Sequence, residues 1–196
     1  EVRVFDGKTF VFEPAITVDY AFVCAYRADR LGNCEFRGSS QHFNPSFAKA
    51  ARVAIVEVDE IVEPGEIDPH RVGLAGSFVA RVVKRTIQPD RSGLARFRRA
   101  PDTARTYNSK PAWTRHQMTE KAASLLPDPG YVNLGLGIPT LVGGYLGGRD
   151  IALHGENGIL NYGPPAPEDQ IDWYIHDAGG GYVTPKPGMA VCDGPS

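Results

Sequence analysis

The chain is 196 residues long with 42% hydrophobic residues and a mean hydropathy of −0.26. These values exclude intrinsic disorder, coiled coil and collagen-like repeats, and allow one large or two small folding units. Twenty-one Lys and Arg against 23 Asp and Glu leave a net charge of −2, so no global field draws the chain to nucleic acid or to an anionic membrane.

Along the chain, the first 83 residues alternate strand-like runs with turns. The chain opens on Glu1, not Met, in a segment that already reads as a strand, and the N-terminus is expected to be a cut. No signal-peptide pattern stands there, and no apolar run reaches membrane-spanning length. Residues 19–26 are β-branched and aromatic enough for a buried strand, with a turn at Leu31-Gly32-Asn33. A short helix is expected over 48–52, after Asn44-Pro45, where a proline near the helix start removes only an orphan N–H. Strands follow at 54–62 and 78–83. Cys24, Cys34 and Cys192 have no CxxC spacing, which argues against a disulfide framework or zinc site and for a reducing compartment.

From Lys84 to Ala112 the apolar periodicity stops. Eight Lys and Arg face only Asp90 and Asp102 there. A basic arm for nucleic acid is one reading, but only Phe97 and Tyr107 are interleaved as stacking platforms, so a solvated interdomain linker is preferred.

The third stretch restarts with a helix on Met118, Ala122 and Leu125-Leu126, stopped by Pro127-Asp-Pro-Gly130. A strand at 131–134, a glycine turn at 135–139, a helix from Thr140 to about Leu146 and a strand at 151–154 then follow. That alternation predicts a parallel α/β sheet.

Two features of this stretch carry chemistry. Asn133-Leu-Gly-Leu-Gly-Ile-Pro139 sets two glycines between a strand end and a helix start, where backbone N–H groups can face a phosphate, carboxylate or oxyanion. Thr140 stands where a dinucleotide fingerprint needs its third small residue, and no Walker lysine is present. Glu156, after an apolar strand and before Asn157-Gly158, is expected to protrude at the C-terminal edge of the sheet, where open α/β folds bind ligands. His154 lies on the same strand face. His-x-Glu without a Pro-Cys-x-x-Cys partner does not make a deaminase zinc site. His154 is therefore expected to pack at the strand end. His42, His70, His116 and His176 are scattered, no metal site is expected, and no Gly-x-Ser-x-Gly elbow is present.

Residues 133–141, Glu156-Asn-Gly-Ile-Leu160 and Gly163-Pro164 resemble the start of the β-type half of the class I CoA-transferases, most of all the 3-oxoacid (succinyl-CoA:3-ketoacid) CoA-transferases. Phe5-Asp-Gly-Lys8, Glu13-Pro-Ala-Ile16, residues 28–33, Phe43-Asn-Pro45 and residues 57–65 are similar to the latter part of the α-type half. The resemblance implies an α/β fold with two incomplete open parallel-sheet halves: residues 1–83 from the α-type domain, 84–112 as linker, and 113–196 from the β-type domain. The early glycine loop of the α half and the later β-half segment are not in this chain, which is expected to be inactive alone.

What this family resemblance implies for function is CoA transfer from an acyl-CoA such as succinyl-CoA to a 3-oxo acid, as in ketone body metabolism. Glu156 would be the nucleophile, passing through a mixed anhydride and a glutamyl-CoA thioester with ping-pong kinetics and no metal. Asn133, Gly135, Gly137, Asn157 and Gly158 would form the oxyanion cradle or position substrate and CoA. Coenzyme A is implied as a co-substrate, with no permanently bound cofactor. The implied partners are acyl-CoA and short carboxylic or 3-oxo acids, without nucleic acid or membrane. A homo-oligomer is implied, in the cytoplasm or, in a eukaryote, the mitochondrial matrix. An acetate or butyrate acceptor and a non-catalytic remnant remain the alternatives. This chain departs from the family pattern in having Gly155 for the usual Ser, Gln41-His42-Phe43-Asn44 for Arg-Asn-Phe-Asn, and Ala178-Gly-Gly-Gly181 for Ala-Gly-Lys-Glu.

Overall fold

The computed structural model describes residues 1–87 and 106–194. Two compact units divide the chain: Glu1–Glu35 with Asn44–Arg85, and Phe36–Phe43 with Thr86–Ser196. Most of the expected basic linker, residues 88–105, lies outside the described residues.

In the first unit β1 (Val2–Phe5) and β2 (Lys8–Val11) form an antiparallel hairpin. Asp6 and Gly7 turn it with φ of 48° and 75°, the left-handed pair whose twist matches that of the strands. The main sheet is built from β3 (Val18–Asp29), β4 (Cys34–Glu35), β5 (Ala51–Val62) and β6 (Arg81–Lys84), in the order β4-β3-β5-β6. Strands β3, β5 and β6 are parallel and β4 is antiparallel. Period-two alternation buries Ala21, Val23 and Ala25 of β3 and Ala54, Val56 and Val58 of β5, leaving Tyr20 and Phe22 exposed on the other face. Helix α1 (Asn44–Ala50) packs on β3 and β5 with Ala48 buried.

Two expected boundaries move. The helix expected over 48–52 ends at Ala50, because Ala51 already pairs with Val18 in the sheet. The strand expected from Phe78 begins at Arg81. Gly76–Phe78 form a 3-10 turn, and Gly76 lies so close to the Leu31 carbonyl that a Cβ would collide with it.

The turn after β3 is organised by buried Asp29. Its Oδ1 accepts the Leu31 and Asn33 N–H groups at 2.9 Å each, and its Oδ2 accepts Asn33 Nδ2 at 2.8 Å. Such local bonds hold a loop in one conformation without a secondary-structure ladder. Glu35, 2% exposed, is clamped between Arg27 Nε at 2.6 Å and an Arg71 terminal nitrogen at 2.5 Å.

In the second unit β7 (Thr106–Tyr107) and β8 (Lys110–Pro111) make a small hairpin, followed by helix α2 (Arg115–Ser124). Thr114 caps α2: its Oγ1 accepts the Gln117 N–H at 3.2 Å, and Gln117 Oε1 accepts the Thr114 N–H at 2.9 Å. At the other end Arg149 donates to the Ala123 carbonyl of the last turn and to the Leu126 carbonyl just beyond it, at 2.5 Å each, a cation placed where helix carbonyls converge. The sheet contains β9 (Gly130–Leu134), β10 (Ile151–Gly155), β11 (Ile159–Leu160) and β12 (Ala190–Val191), in the order β12-β11-β10-β9. Its core joins Leu134, Ile151, Leu153 and Ile159 to Val142, Leu146 and Ala123 of the flanking segments.

Both sheets are open and the class is α/β, but neither sheet is purely parallel. In the second unit only β9 and β10 are parallel, while β11 and β12 run antiparallel. The reason is the short turn after Gly155, since a connection of three residues can only return antiparallel. The helix expected from Thr140 is instead a 3-10 helix, Ile138–Tyr145. Gly143-Gly144 within it give the α-helical ladder little support.

Candidate active site

Strands β9 and β10 lie side by side with His154 opposite Asn133 and Gly155 opposite Leu134. The next residue of each, Gly135 and Glu156, therefore leaves the sheet at its C-terminal edge. Glu156 is exposed, and its Oε2 lies 4.0 Å from the point a Cβ on Gly135 would occupy. A side chain on residue 135 would thus stand beside the carboxylate, and glycine keeps that approach clear. One pair further back, Asn133 Nδ2 lies 3.3 Å from His154 Nδ1. Asn133 is tied to its cross-strand neighbour, and His154 is half-buried at the strand end.

Gly137 has φ 97° and ψ −129°, a conformation side chains resist. Nothing lies within 4 Å of its Cβ position. It begins the 3-10 helix, and its carbonyl accepts Thr140 Oγ1 at 2.7 Å. The loop after Asp177 lies against the same helix start: a Cβ on Gly179 would stand 3.0 Å from Thr140 Cγ2. Asp177 Oδ1 accepts the Gly179 and Gly181 N–H groups at 2.8 Å each, so the glycine run 179–181 wraps a buried carboxylate. Burial, aided by the Asp177 charge, pushes the Tyr162 hydroxyl up to about 12.

The turn that carries Glu156 is closed by the Gly158 N–H donating to the Gly155 carbonyl at 3.0 Å. Gly158 has φ 86°. A Cβ there would collide with the Cys192 carbonyl and stand 2.9 Å from His42 Cδ2. The Asn157 amide turns inward, donating to the His176 carbonyl at 2.7 Å. Its Oδ1 is buried without a hydrogen-bond partner and lies 2.5 Å from where a Gly155 Cβ would be. The missing side chain at 155 is what makes room for it.

His42 completes the group. Its carbonyl accepts the Gly194 N–H at 2.9 Å, and its ring meets Phe43 edge-on with centroids 3.9 Å apart. Burial pushes the imidazole below its ordinary range, the Asp193 and Glu156 charges oppose that, and His154 adds to it.

The second unit thus brings Asn133, Gly135, His154, Glu156, Asn157 and Gly158 together, with Gly137 at the head of the neighbouring helix. An exposed carboxylate at a glycine-lined strand edge is suited to attack a carbonyl carbon. Sequence reasoning missed His42 and His176. Both are far from Glu156 along the chain, and neither sits in a spacing that signals contact; only the fold brings them together.

The sequence model of the family described as Coenzyme A transferase matches residues 1–85 and 116–195. Mouse succinyl-CoA:3-ketoacid coenzyme A transferase 2B, mitochondrial, is 36% identical over 196 residues, covering 96% of this chain and 36% of that protein. The human transferase 2, mitochondrial, is 38% identical over 189 residues with the same coverage. The rat transferase 2A, mitochondrial, is also 38% identical over 189 residues, covering 96% of this chain and 36% of that protein. The chain spans about a third of the length of these curated relatives. An acyl-CoA transferase apoenzyme from Escherichia coli O157:H7 shares the fold, with a TM-score of 0.63 at 19% identity over 99% of this chain and 36% of that one. The match of the family model over most of its residues shows that the chain belongs to the Coenzyme A transferase family.

Proposed function

We propose that the protein containing this chain moves coenzyme A from an acyl-CoA, succinyl-CoA, to a 3-oxo acid, with Glu156 as nucleophile. The observation that carries this reading is the position of the Glu156 carboxylate, exposed beyond β10 beside a residue without a side chain. The names of the mouse and human relatives support the choice of acids.

In this reading a Glu156 oxygen attacks the thioester carbonyl, the C–S bond breaks, and CoA leaves as thiolate, giving a mixed anhydride. The thiolate then attacks the Glu156 carbonyl and expels the first acid, leaving a glutamyl-CoA thioester. The incoming acid repeats the steps in reverse. No net proton moves, so the requirement on the protein is to position a free carboxylate and to stabilise oxyanions. Gly135 and Gly137 supply backbone at that edge, Asn133 orients the edge through His154, and Asn157 and Gly158 fix the turn that aims Glu156.

The same reading assigns residues 1–83 to the end of an α-type domain, 84–112 to a tether and 113–196 to the start of a β-type domain. The unmatched residues between the two family-model segments support it. Coenzyme A is then a substrate with no resident cofactor, the assembly a homo-oligomer, and the compartment the cytoplasm or, in a eukaryote, the mitochondrial matrix; the mouse relative is named as mitochondrial. Among the described residues no helix is long and apolar enough to cross a membrane.

The test is a transfer assay on the full-length protein. Wild type should give ping-pong kinetics, and Glu156→Ala should fall below about a thousandth of wild-type turnover. A variant that retains more rules out the covalent route through Glu156.

A further inference from the structure

The Glu156–Gly158 turn is held from behind by a residue outside the strand–turn–strand unit. Gly158 adopts φ 86°, and the space its missing side chain leaves is closed by His42 Cδ2 and the Cys192 carbonyl. His42 is fixed in turn: its carbonyl holds the Gly194 N–H at 2.9 Å and its ring abuts Phe43, while the Cys192 N–H ties the same turn to the C-terminal stretch by donating to the Gly158 carbonyl at 2.9 Å. An imidazole so seated can shift little without moving the turn.

We propose that His42 is a positioning residue for Glu156: its imidazole braces the 156–158 turn through Gly158, and its charge modulates the reactivity of the carboxylate that the turn carries. The proposal rests on Glu156 being the nucleophile.

The groups that act on His42 come from three places: Glu156 on the turn, His154 on β10, and Asp193 on the C-terminal stretch, with the Cys192 thiol next along that stretch. Burial and His154 favour the neutral ring, and the two carboxylates favour the cation. Neutral His42 leaves the Glu156 carboxylate without that positive charge, the state in which it attacks a thioester most readily. A protonated His42 adds a positive charge that stabilises the Glu156 anion and lowers its nucleophilicity. A purely structural brace would hold the turn equally well in either charge state.

The experiment uses the full-length protein with isotopically labelled histidines, without substrate. His42 should titrate below the ordinary imidazole range, and Glu156→Gln should lower its midpoint further, by about half a pH unit, because one of the charges that favour the cation is gone. In the transfer assay the acid limb of the wild-type kcat/KM profile should follow the His42 midpoint, and His42→Gln should remove that limb. An unchanged His42 midpoint in Glu156→Gln, or a His42→Gln enzyme with the wild-type acid limb, overturns the proposal. The titration needs no turnover, so its failure is distinct from that of the nucleophile assignment, which the Glu156→Ala assay decides.

Discussion

Gly135 and Glu156 end neighbouring parallel strands, and the carboxylate of the second lies 4.0 Å from where the first would carry a methyl group. That is ordinary van der Waals contact, and Gly135 is not among the glycines with positive φ. Gly135→Ala should therefore fold as wild type does while crowding the side from which an acyl carbon reaches Glu156. The full-length variant should melt within a few degrees of wild type and lose about 10- to 100-fold in kcat/KM, the scale on which small misplacements act. Equal activity would show that substrate approaches from another side.

Gly137 and Gly158 both have positive φ, 97° and 86°, but different surroundings. At Gly137 a Cβ meets nothing, while at Gly158 it meets the Cys192 carbonyl and the His42 ring. Gly137→Ala carries only backbone strain, about 1–3 kcal/mol. Gly158→Ala adds a backbone clash and should cost at least about 3 kcal/mol. Denaturant titration of the two variants gives the order directly.

Glu35 is buried with one arginine on each side, and its hydrogen bond is the main reason the Arg27 guanidinium holds its proton more tightly than usual. Glu35→Gln keeps the shape and removes the charge. Because Arg71 is largely exposed and Arg27 partly so, water recovers part of the loss, and the expected destabilisation is about 2–3 kcal/mol. The midpoint of urea unfolding reports it.

Burial, with the Asp29 charge adding, pushes the Cys34 thiol up to about 12 from its ordinary value of 9.0. The folded state thus holds this proton more tightly than the unfolded chain. Its contribution is complete below pH 9 and is lost as pH rises toward 12. Unfolding free energy should fall by about 2 kcal/mol between pH 9 and 10.5 from this cause. Cys34→Ala should flatten that part of the curve, whatever its own baseline stability.

The long strands were legible because their residues cannot be placed otherwise. β3 and β5 alternate small apolar residues on one face, and β9 and β10 are short runs with a glycine just after or at their C-terminal end. The Asp6-Gly7 turn is a recognised hairpin signal; its strand was expected, the hairpin was not. Glu156 was expected at the sheet edge because Asn157-Gly158 favours a reversal there. The same reversal makes β11 antiparallel, although the alternation of strands and helices along the chain points to a parallel sheet. The 3-10 helix at Ile138–Tyr145 follows from glycines inside an apolar run whose periodicity looks α-helical. The place of residues 36–43 in the second unit was not legible, because the bonds from Ser39 and Arg37 to His176 and Asp172 span most of the chain. With them came His42.

The central claim is tested most directly by trapping the covalent intermediate. Full-length protein is incubated with acyl-CoA, treated with borohydride, digested and examined by mass spectrometry. The peptide carrying Glu156 should have its side-chain carboxyl reduced to an alcohol, and Glu156→Gln, treated alike, should show no such change. Turnover with an unmodified Glu156 peptide, or reduction at a different carboxylate, would contradict the assignment of Glu156 as nucleophile.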